Sequence, residues 1–328
     1  MKKQCVSDLD DCRRLWNRFI APKNISDLWD FRLCFQRHFG FKPCFHVFED
    51  RAGVTAMLPL SYAEDLETFF FFPGEIWQNR TWIERTPFHL REREYLEEVL
   101  ASCPERTYLR YMELEEGPIP QDLEMDEIGY VLYPPSLGFD LEHFRKKFHH
   151  KKVKNILRVI RNILENGGLF RVNRLRDFDL LVAMSLQQFG SGSYLYDYRF
   201  REGFRDLVYF LHARKWLRMV SLEIKGRPVA VDVGALFGDT YTLFLGATDP
   251  EFPGVAKVMN MHHIEFAFRE RLAKIDFLCG DFHWKKLWHL DPEPLFKYVS
   301  PLLRHEEAIE YLLPYGGFQA ANGDLTHA

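Results

Sequence analysis

The sequence contains no run approaching the roughly 18 apolar residues of a membrane-spanning helix. Its first stretch, "MKKQCVSDLDDCRR", has no apolar centre of the kind a secretory leader carries. The six cysteines (Cys5, Cys12, Cys34, Cys44, Cys103 and Cys279) form no C-x-x-C pair and no zinc-ligand spacing. Basic charge is in short supply: 43 Lys and Arg face 47 Asp and Glu, a net charge of −4. These absences argue against a membrane span, against a metal centre and against a duplex nucleic-acid binder, which is usually basic. They predict a cytoplasmic protein with reduced, mostly buried thiols.

What is present is material for a large aromatic core. The chain has 328 residues, 47% of them hydrophobic and 16% aromatic, with 30 Phe. That is enough for about two domains.

Residues 8–42 read as two aromatic helices, with Ser26 and Asp27 as N-caps of the second. "PCFHVFEDRAGVTAMLPLSY" reads as strand, turn, strand, and "LETFFFFPGEIW" as a strand closed by Pro73-Gly74. A helix near 91–102 and the strand "RTYLRYMEL" follow. Residues 113–127 carry seven acids and no base, with two prolines and a glycine, which predicts a surface excursion before strands through "GYVLYPPSL". Residues 145–161 reverse the sign with eight Lys and Arg and no acid. Val153, Ile156, Leu157, Ile160 and Leu164 recur there at helical spacing, so the stretch predicts an amphipathic helix with a basic outer face. The mutual repulsion of those charges is relieved either by an anionic ligand or by docking on the acidic segment.

The second half is easier to read. "LFRVNRL" is a strand, and helices near 177–189 and 199–215 flank the loop "GSGSYLYDY". "LRMVSLEIKGRPVAVDVGALFGDTYTLFLGATD" is three strands on two tight turns, Lys225-Gly226 and Gly238-Asp239. A helix over "PEFPGVAKVMNMHHIEFAFRERL" and the strand "KIDFLCG" complete the unit. The first half holds a looser version of the same element order, without a visible residue-level repeat, which suggests two related domains.

This ordered set of pieces resembles the FemAB-like branch of the GNAT acyltransferase superfamily, in particular the CelD-type acetyltransferases of cellulose biosynthesis, across about residues 10–290. The pieces are "LWDFRLCFQRHFGF" with "VTAMLPL", the basic helix "KKVKNILRVIRNILENGG", the meander "LEIKGRPVAVDVGALFGDTYTLFLGATDPEF", and "IDFLCGDFHWKKLW". The resemblance implies an α+β (mixed α/β) fold of tandem GNAT-like domains, each a small mixed sheet flanked by helices. Residues 1–140 would form the first, 141–300 the second with the reaction cleft, and 301–328 a helix and flexible tail. It implies an N-acyltransferase of polysaccharide or envelope biosynthesis. The donor would be acetyl-CoA or acyl-CoA, and the acceptor an amine of a sugar, an envelope precursor or an amino compound. Two departures stand out. Trp284 sits where relatives often have Tyr, and "FPGVAKVMN" lacks the second glycine of a full pyrophosphate loop. Aminoacyl transfer from aminoacyl-tRNA, or a non-catalytic polysaccharide- or partner-binding role, are the alternatives.

Candidate site residues follow. In strand alternation Asp281, His283 and Lys285 share one side. Asp281 would orient or act as base, and Lys285 would face a developing oxyanion or a phosphate, unless the three form a salt-bridged turn. Trp284 would lie on the acceptor side. Asp232 alternates away from Val229, Val231 and Val233, which makes it either a solvent-facing residue or a general base lining the cleft. Glu223 on the preceding strand follows the same logic. Gly254, Val255, Ala256 and Lys257 open a helix whose N–H groups would meet a phosphate. Tyr194, Tyr196 and Tyr198 suit a sugar or acyl pocket, or an aromatic plug between the domains. His262 and His263 point about 100° apart on their helix and do not chelate one metal.

Overall fold

A computed structural model gives the structure of residues 2–114, 117–280 and 283–305, with the backbone alone at His283 and His305. Its elements, in chain order, are β1 (Lys2–Val6), α1 (Leu9–Phe19), α2 (Trp29–Phe39), β2 (Lys42–Asp50), β3 (Gly53–Ala63), β4 (Thr68–Phe71), β5 (Ile76–Trp77), β6 (Arg80–Thr81), β7 (His89–Leu90), α3 (Tyr95–Ala101), β8 (Tyr108–Met112), β9 (Leu123–Leu132), α4 (Leu141–Lys146), α5 (His150–Glu165), β10 (Gly168–Val172), α6 (Asp177–Phe189), α7 (Tyr198–Ala213), β11 (Leu217–Ile224), β12 (Arg227–Phe237), β13 (Thr240–Thr248), α8 (Val255–Arg269), β14 (Lys274–Cys279), α9 (His283–Leu287), β15 (Asp291–Val299) and α10 (Pro301–His305). The mixed α/β class and the helix-flanked sheets are as the sequence predicts.

Local chemistry sets many of the ends. Asp8 caps α1 by accepting from the N–H groups of Asp10 and Asp11. Cys12 and Trp16, one helical turn apart, are buried beneath it. The α2 helix stops where Gly40 turns left-handed. The second cap differs from expectation: Asp27 accepts from the N–H groups of Lys23 and Asn24, and the α-helix starts at Trp29.

The strands form one sheet of eight, β10-β11-β12-β13-β14-β9-β15-β8, and one of five, β1-β2-β3-β4 with β7 on β3. A parallel bridge from Phe69 to Thr107 joins them edge to edge. Counted outward from the β9–β15 pair, one side runs β15, β8, β4, β3, β2, β1 and the other β9, β14, β13, β12, β11, β10. The two halves are therefore related by a pseudo-twofold axis, and each gives its last strand to the other.

The register carries the repeat that the sequence hides. Leu109 and Met112 on β8 pair with Tyr298 and Phe296 on β15. Asp276 and Cys279 on β14 pair with Val131 and Gly129 on β9. One constant offset along the chain converts the first set of partners into the second. It also converts Tyr111 (φ 57°) into Leu278 (φ 58°), the left-handed residue in each irregular strand. A boundary at residue 140 thus separates the helices but not the sheet, since β8 and β9 belong to the eight-stranded sheet.

Across the pseudo-twofold, α2 packs on α7, with Phe35 edge-on to Phe204 at 5.2 Å. Gly203 permits this approach: a Cβ there would stand 2.7 Å from the Phe35 ring. Trp82, Phe31 and Phe244 complete the shared core. Each side of the contact thus repeats Phe at helical spacing (31 and 35, 200 and 204).

Three further expectations change. Residues Leu123–Glu127 of the acidic segment are already strand β9, and a single strand continues through "GYVL". Cys5 and Cys44 form a disulfide between β1 and β2, so the six-free-thiol reading fails. The short, polar strand β1 was not legible, and its register is what brings Cys5 next to Cys44. Cys12, Cys34 and Cys279 are buried free thiols and Cys103 is half-buried. Beyond His305 the C-terminal segment lies outside the described residues. No described helix is long and apolar enough to cross a membrane.

Candidate active site

Strands β13 and β14 run parallel but pair only over Thr240–Thr242 and Lys274–Asp276. Beyond those residues they diverge. Phe244, left out of the β12–β13 register by a bulge, and Leu278, in its left-handed conformation, line the gap between them. Residues Ser26, Ile83 and Glu84 of the first half enter it and leave a pocket of about 20 Å³.

Glu84 is the central group. Its Oε2 accepts the N–H of Cys279 at 2.7 Å. Burial pushes its carboxyl up to about 7, against the opposing charge of Lys285. Lys285 is 2% exposed, and its Nζ donates to the carbonyls of Phe277, Leu278 and Cys279 at 2.9, 2.8 and 2.5 Å. Burial lowers the lysine's affinity for its proton, and Glu84 supports the charged form. The lysine therefore fixes the end of β14 and biases Glu84.

Arg85, the next residue, ties the halves together. It pairs with Asp276 at 2.8 Å, with Glu293 at 2.6 Å and with Glu113. On its far side opens a cleft of about 690 Å³, lined by Phe19, Lys23, His89, Arg91, Lys274 and Phe296 among others. Arg85 lines both the cleft and the small pocket. Asp27 also faces the cleft, its carboxyl pushed up to about 6 by burial.

The residues singled out from sequence divide as follows. Lys285 lies in the gap. Asp281 lies outside the described residues, and of His283 only the backbone is described. The strand alternation expected for 281, 283 and 285 does not extend that far, because His283–Leu287 is a helical turn. Trp284 packs edge-on against Phe277 at 6.0 Å. Asp232 is neither solvent-facing nor in the gap: its Oδ2 lies 2.8 Å from His263 Nε2 beneath α8. A carboxylate only accepts, so His263 donates from Nε2 and takes the Tyr241 hydroxyl at Nδ1, 2.9 Å away. Glu223 stands on β11, with β12 and β13 between it and β14, paired with Arg174 at 2.6 Å and Arg171 at 3.2 Å, which holds its carboxyl below the usual range. Tyr194 is a plug between the halves; its hydroxyl donates to the Thr81 carbonyl at 3.0 Å and its ring meets Phe200. Tyr196 is 58% exposed and stacks on Trp77.

Gly254 is left-handed at φ 88° and precedes α8, so Val255, Ala256 and Lys257 form the helix's first turn as expected. A Cβ on Gly254 would stand 2.9 Å from Val159 of α5, so the glycine is required by packing as well as by conformation. Lys152 of α5 is disfavoured as a cation by burial and by Lys257 across this junction. Among the described residues no ion pair joins the outer face of α5 to the acidic segment: Asp126 and Glu127 pair with Arg110, and Glu124 with Lys297 and Arg304, while Glu115 and Glu116 lie outside the described residues.

Glu84 was missed at the sequence level. It lies in "TWIERTP", an irregular excursion between β6 and β7 with no period to mark a face. The one available signal is a lone acid after Trp-Ile, an apolar setting that raises a carboxyl pKa if buried.

Comparison with known proteins adds to this geometry. Residues 150–286 match a family model described as "Acetyltransferase (GNAT) domain". No curated protein matches the chain. Among solved structures, FemX superposes with a TM-score of 0.56 at 10% identity, covering 93% of this chain and 99% of its own. L-PGS from Bacillus licheniformis gives 0.53 at 8% identity, covering 93% and 95%. A conserved protein of unknown function from Bacteroides thetaiotaomicron gives 0.51 at 13%, covering 90% and 98%.

Proposed function

We infer, for a chain whose residues 150–286 match a GNAT acetyltransferase model and whose fold is shared with FemX, that it moves an acyl group from a thioester to an amine, with Glu84 as general base. The single observation that carries this reading is the Glu84 carboxyl in the β13–β14 gap, bonded to the Cys279 N–H and raised toward neutrality. A base with a pKa near the working pH is the efficient one for removing a proton from an amine.

The acceptor enters the cleft of about 690 Å³, whose lining of cations (Lys23, Arg91, Lys274), carboxylates (Asp27, Glu113, Glu293) and aromatics suits a polar amino compound such as an amino sugar or an envelope precursor, and its amine reaches Glu84 past Arg85, which lines both spaces. Its amine nitrogen attacks the acyl carbonyl, forming the N–C bond as Glu84 takes the proton. Backbone N–H groups freed where β13 leaves β14 receive the oxyanion. The C–S bond then breaks, and the thiolate leaves with a proton from solvent. Acetyl-CoA or a longer acyl-CoA is the donor. Its pyrophosphate end would meet the first turn of α8 at Gly254–Lys257, where burial and then Lys257 disfavour the Lys152 cation and an anion would relieve it.

A second reading, aminoacyl transfer from aminoacyl-tRNA, is favoured by one observation. Lys151, Lys154, Arg158 and Arg161 line an exposed face of α5, and no carboxylate among the described residues is paired to them. The experiment is mass spectrometry of the purified protein for retained CoA or acyl-CoA, followed by thiol release from acetyl-CoA in the presence of an amine panel. Acetyl transfer that Glu84→Gln abolishes supports the first reading. No thioester binding, with transfer from charged tRNA, supports the second. Transfer unaffected by Glu84→Gln overturns the assignment of the base.

A further inference from the structure

Far from the gap, at the outer edge of the five-stranded sheet, three metal-ligating side chains meet. Cys5 on β1 stands directly opposite His46 on β2, and Cys44 lies two residues from His46 on the same face. One ligand atom of each, the two sulfurs and a ring nitrogen of His46, lie within 4.8 Å of one another. The Cys5 and Cys44 Cα atoms are 5.7 Å apart, and the two sulfurs are joined as a disulfide.

The histidine is what a disulfide alone does not explain. His46 is 4% exposed. Its Nδ1 is buried without a hydrogen-bond partner. Its Nε2 points at the Cys44 sulfur from 3.4 Å. A buried imidazole with one nitrogen orphaned and the other on a weakly accepting sulfur is costly. The same placement is productive around a cation. With Zn–S near 2.3 Å and Zn–N near 2.0 Å in tetrahedral geometry, sulfur and nitrogen ligands sit about 3.5 Å apart. Cys5 is exposed, which gives a metal a way in.

We propose that Cys5, Cys44 and His46, with both cysteines as thiolates, form a three-ligand site for a thiophilic divalent cation of the zinc class, with the fourth position open to water. The site clips β1 to β2. Disulfide and metal exclude each other, because both need the same two sulfurs. Passage from one to the other takes two electrons, from a thiol or phosphine reductant, and two protons, from the thiol or, with a phosphine, from the water that makes it the oxide, before the cation displaces the protons. Nothing in this site depends on the reading of the Glu84 gap.

The test uses the full chain, reduced with a phosphine, freed of metal and titrated with Co²⁺ and then Zn²⁺. Wild type should bind one Co²⁺, with thiolate charge-transfer bands and the intense visible bands of a tetrahedral ion. Zn²⁺ should displace it and protect Cys5 from alkylation. His46→Ala retains the disulfide-forming pair but should weaken Co²⁺ binding by more than the ~100-fold that outer-shell changes cost. Cys44→Ser should abolish the charge-transfer bands, and Cys103→Ser should leave them unchanged. If the reduced wild type shows no tetrahedral Co²⁺ spectrum, or if the spectrum persists in His46→Ala, the proposal is overturned and the pair is a disulfide only.

Discussion

The two halves share one plan and use it differently. In the second half β13 and β14 part after three paired residues, and only the short loop 249–254 separates β13 from the 15-residue helix α8. In the first half β4 and β8 touch at one bridge, and residues 72–94 intervene before α3, a helix of 7 residues. Part of that insertion closes its own gap: Thr86 bridges to Met112, and β7 pairs with β3. The part just before it, Ile83–Arg85, crosses to the other half and lines the β13–β14 gap. The lesson is that an internal repeat can hold one site rather than two, when one copy fills its own gap and supplies a side chain to its twin.

The sharpest way to break that comparison is to remove the donated side chain. Glu84→Gln keeps the shape and can still accept the Cys279 N–H, so the fold should stand. Turnover should fall by about 10²–10⁴-fold, the usual worth of a general base. Thiol-release kinetics measure this, and melting confirms the fold.

Next is Lys285→Met. It strips the donors from three strand-end carbonyls and leaves Glu84 buried without its cation. Breaking a buried pair costs about 3–5 kcal/mol. Urea unfolding should show a loss of that order, with the rising, acid-side limb of any remaining activity moved to higher pH.

The polar support of the insertion gives a pH signature. Glu75 is buried beneath it and accepts the N–H groups of Trp82 and Ile83, with its carboxyl pushed up to about 7. A carboxyl raised on folding favours the protonated folded state. Its contribution is therefore most favourable below the unfolded value near 4.5 and is lost as pH rises through about 7. A shift of that size corresponds to about 3 kcal/mol. Glu75→Gln should flatten stability against pH in that window by up to this amount, which chemical denaturation at several pH values will measure.

The smallest effect is expected at the far side of the sheet. Glu223→Ala removes partly exposed pairs with Arg174 and Arg171 at the sheet's margin and should cost about 1 kcal/mol without changing turnover. A large activity loss there would move the site toward β11.

How much of this was legible follows from periodicity. The β11–β13 meander announced itself because alternating valines and two turn signals agree on one register. Helices α6 to α8 announced themselves by their apolar spacing. Strand β15 did not, since Pro292 and Pro294 argue against a strand. They are tolerated because β8 pairs only with Phe296–Val299, which leaves the first part of β15 an open edge. Lys285 was found because it follows a strand end, but its role as a backbone anchor needed the left-handed turn at Leu278, which no composition reveals. His263 was set aside as a non-chelating neighbour of His262, and its carboxylate partner on β12 became visible only with α8 laid on the sheet.

The central claim is that the gap of the second half works through a carboxylate of the first. The dependence of kcat/KM on pH, in wild type and in Glu84→Gln, tests it most directly. Wild type should rise through a single ionisation near 7 to a plateau, and the variant should show a low rate without that limb. The same limb surviving in Glu84→Gln would contradict the account, because the ionising group would then be another residue.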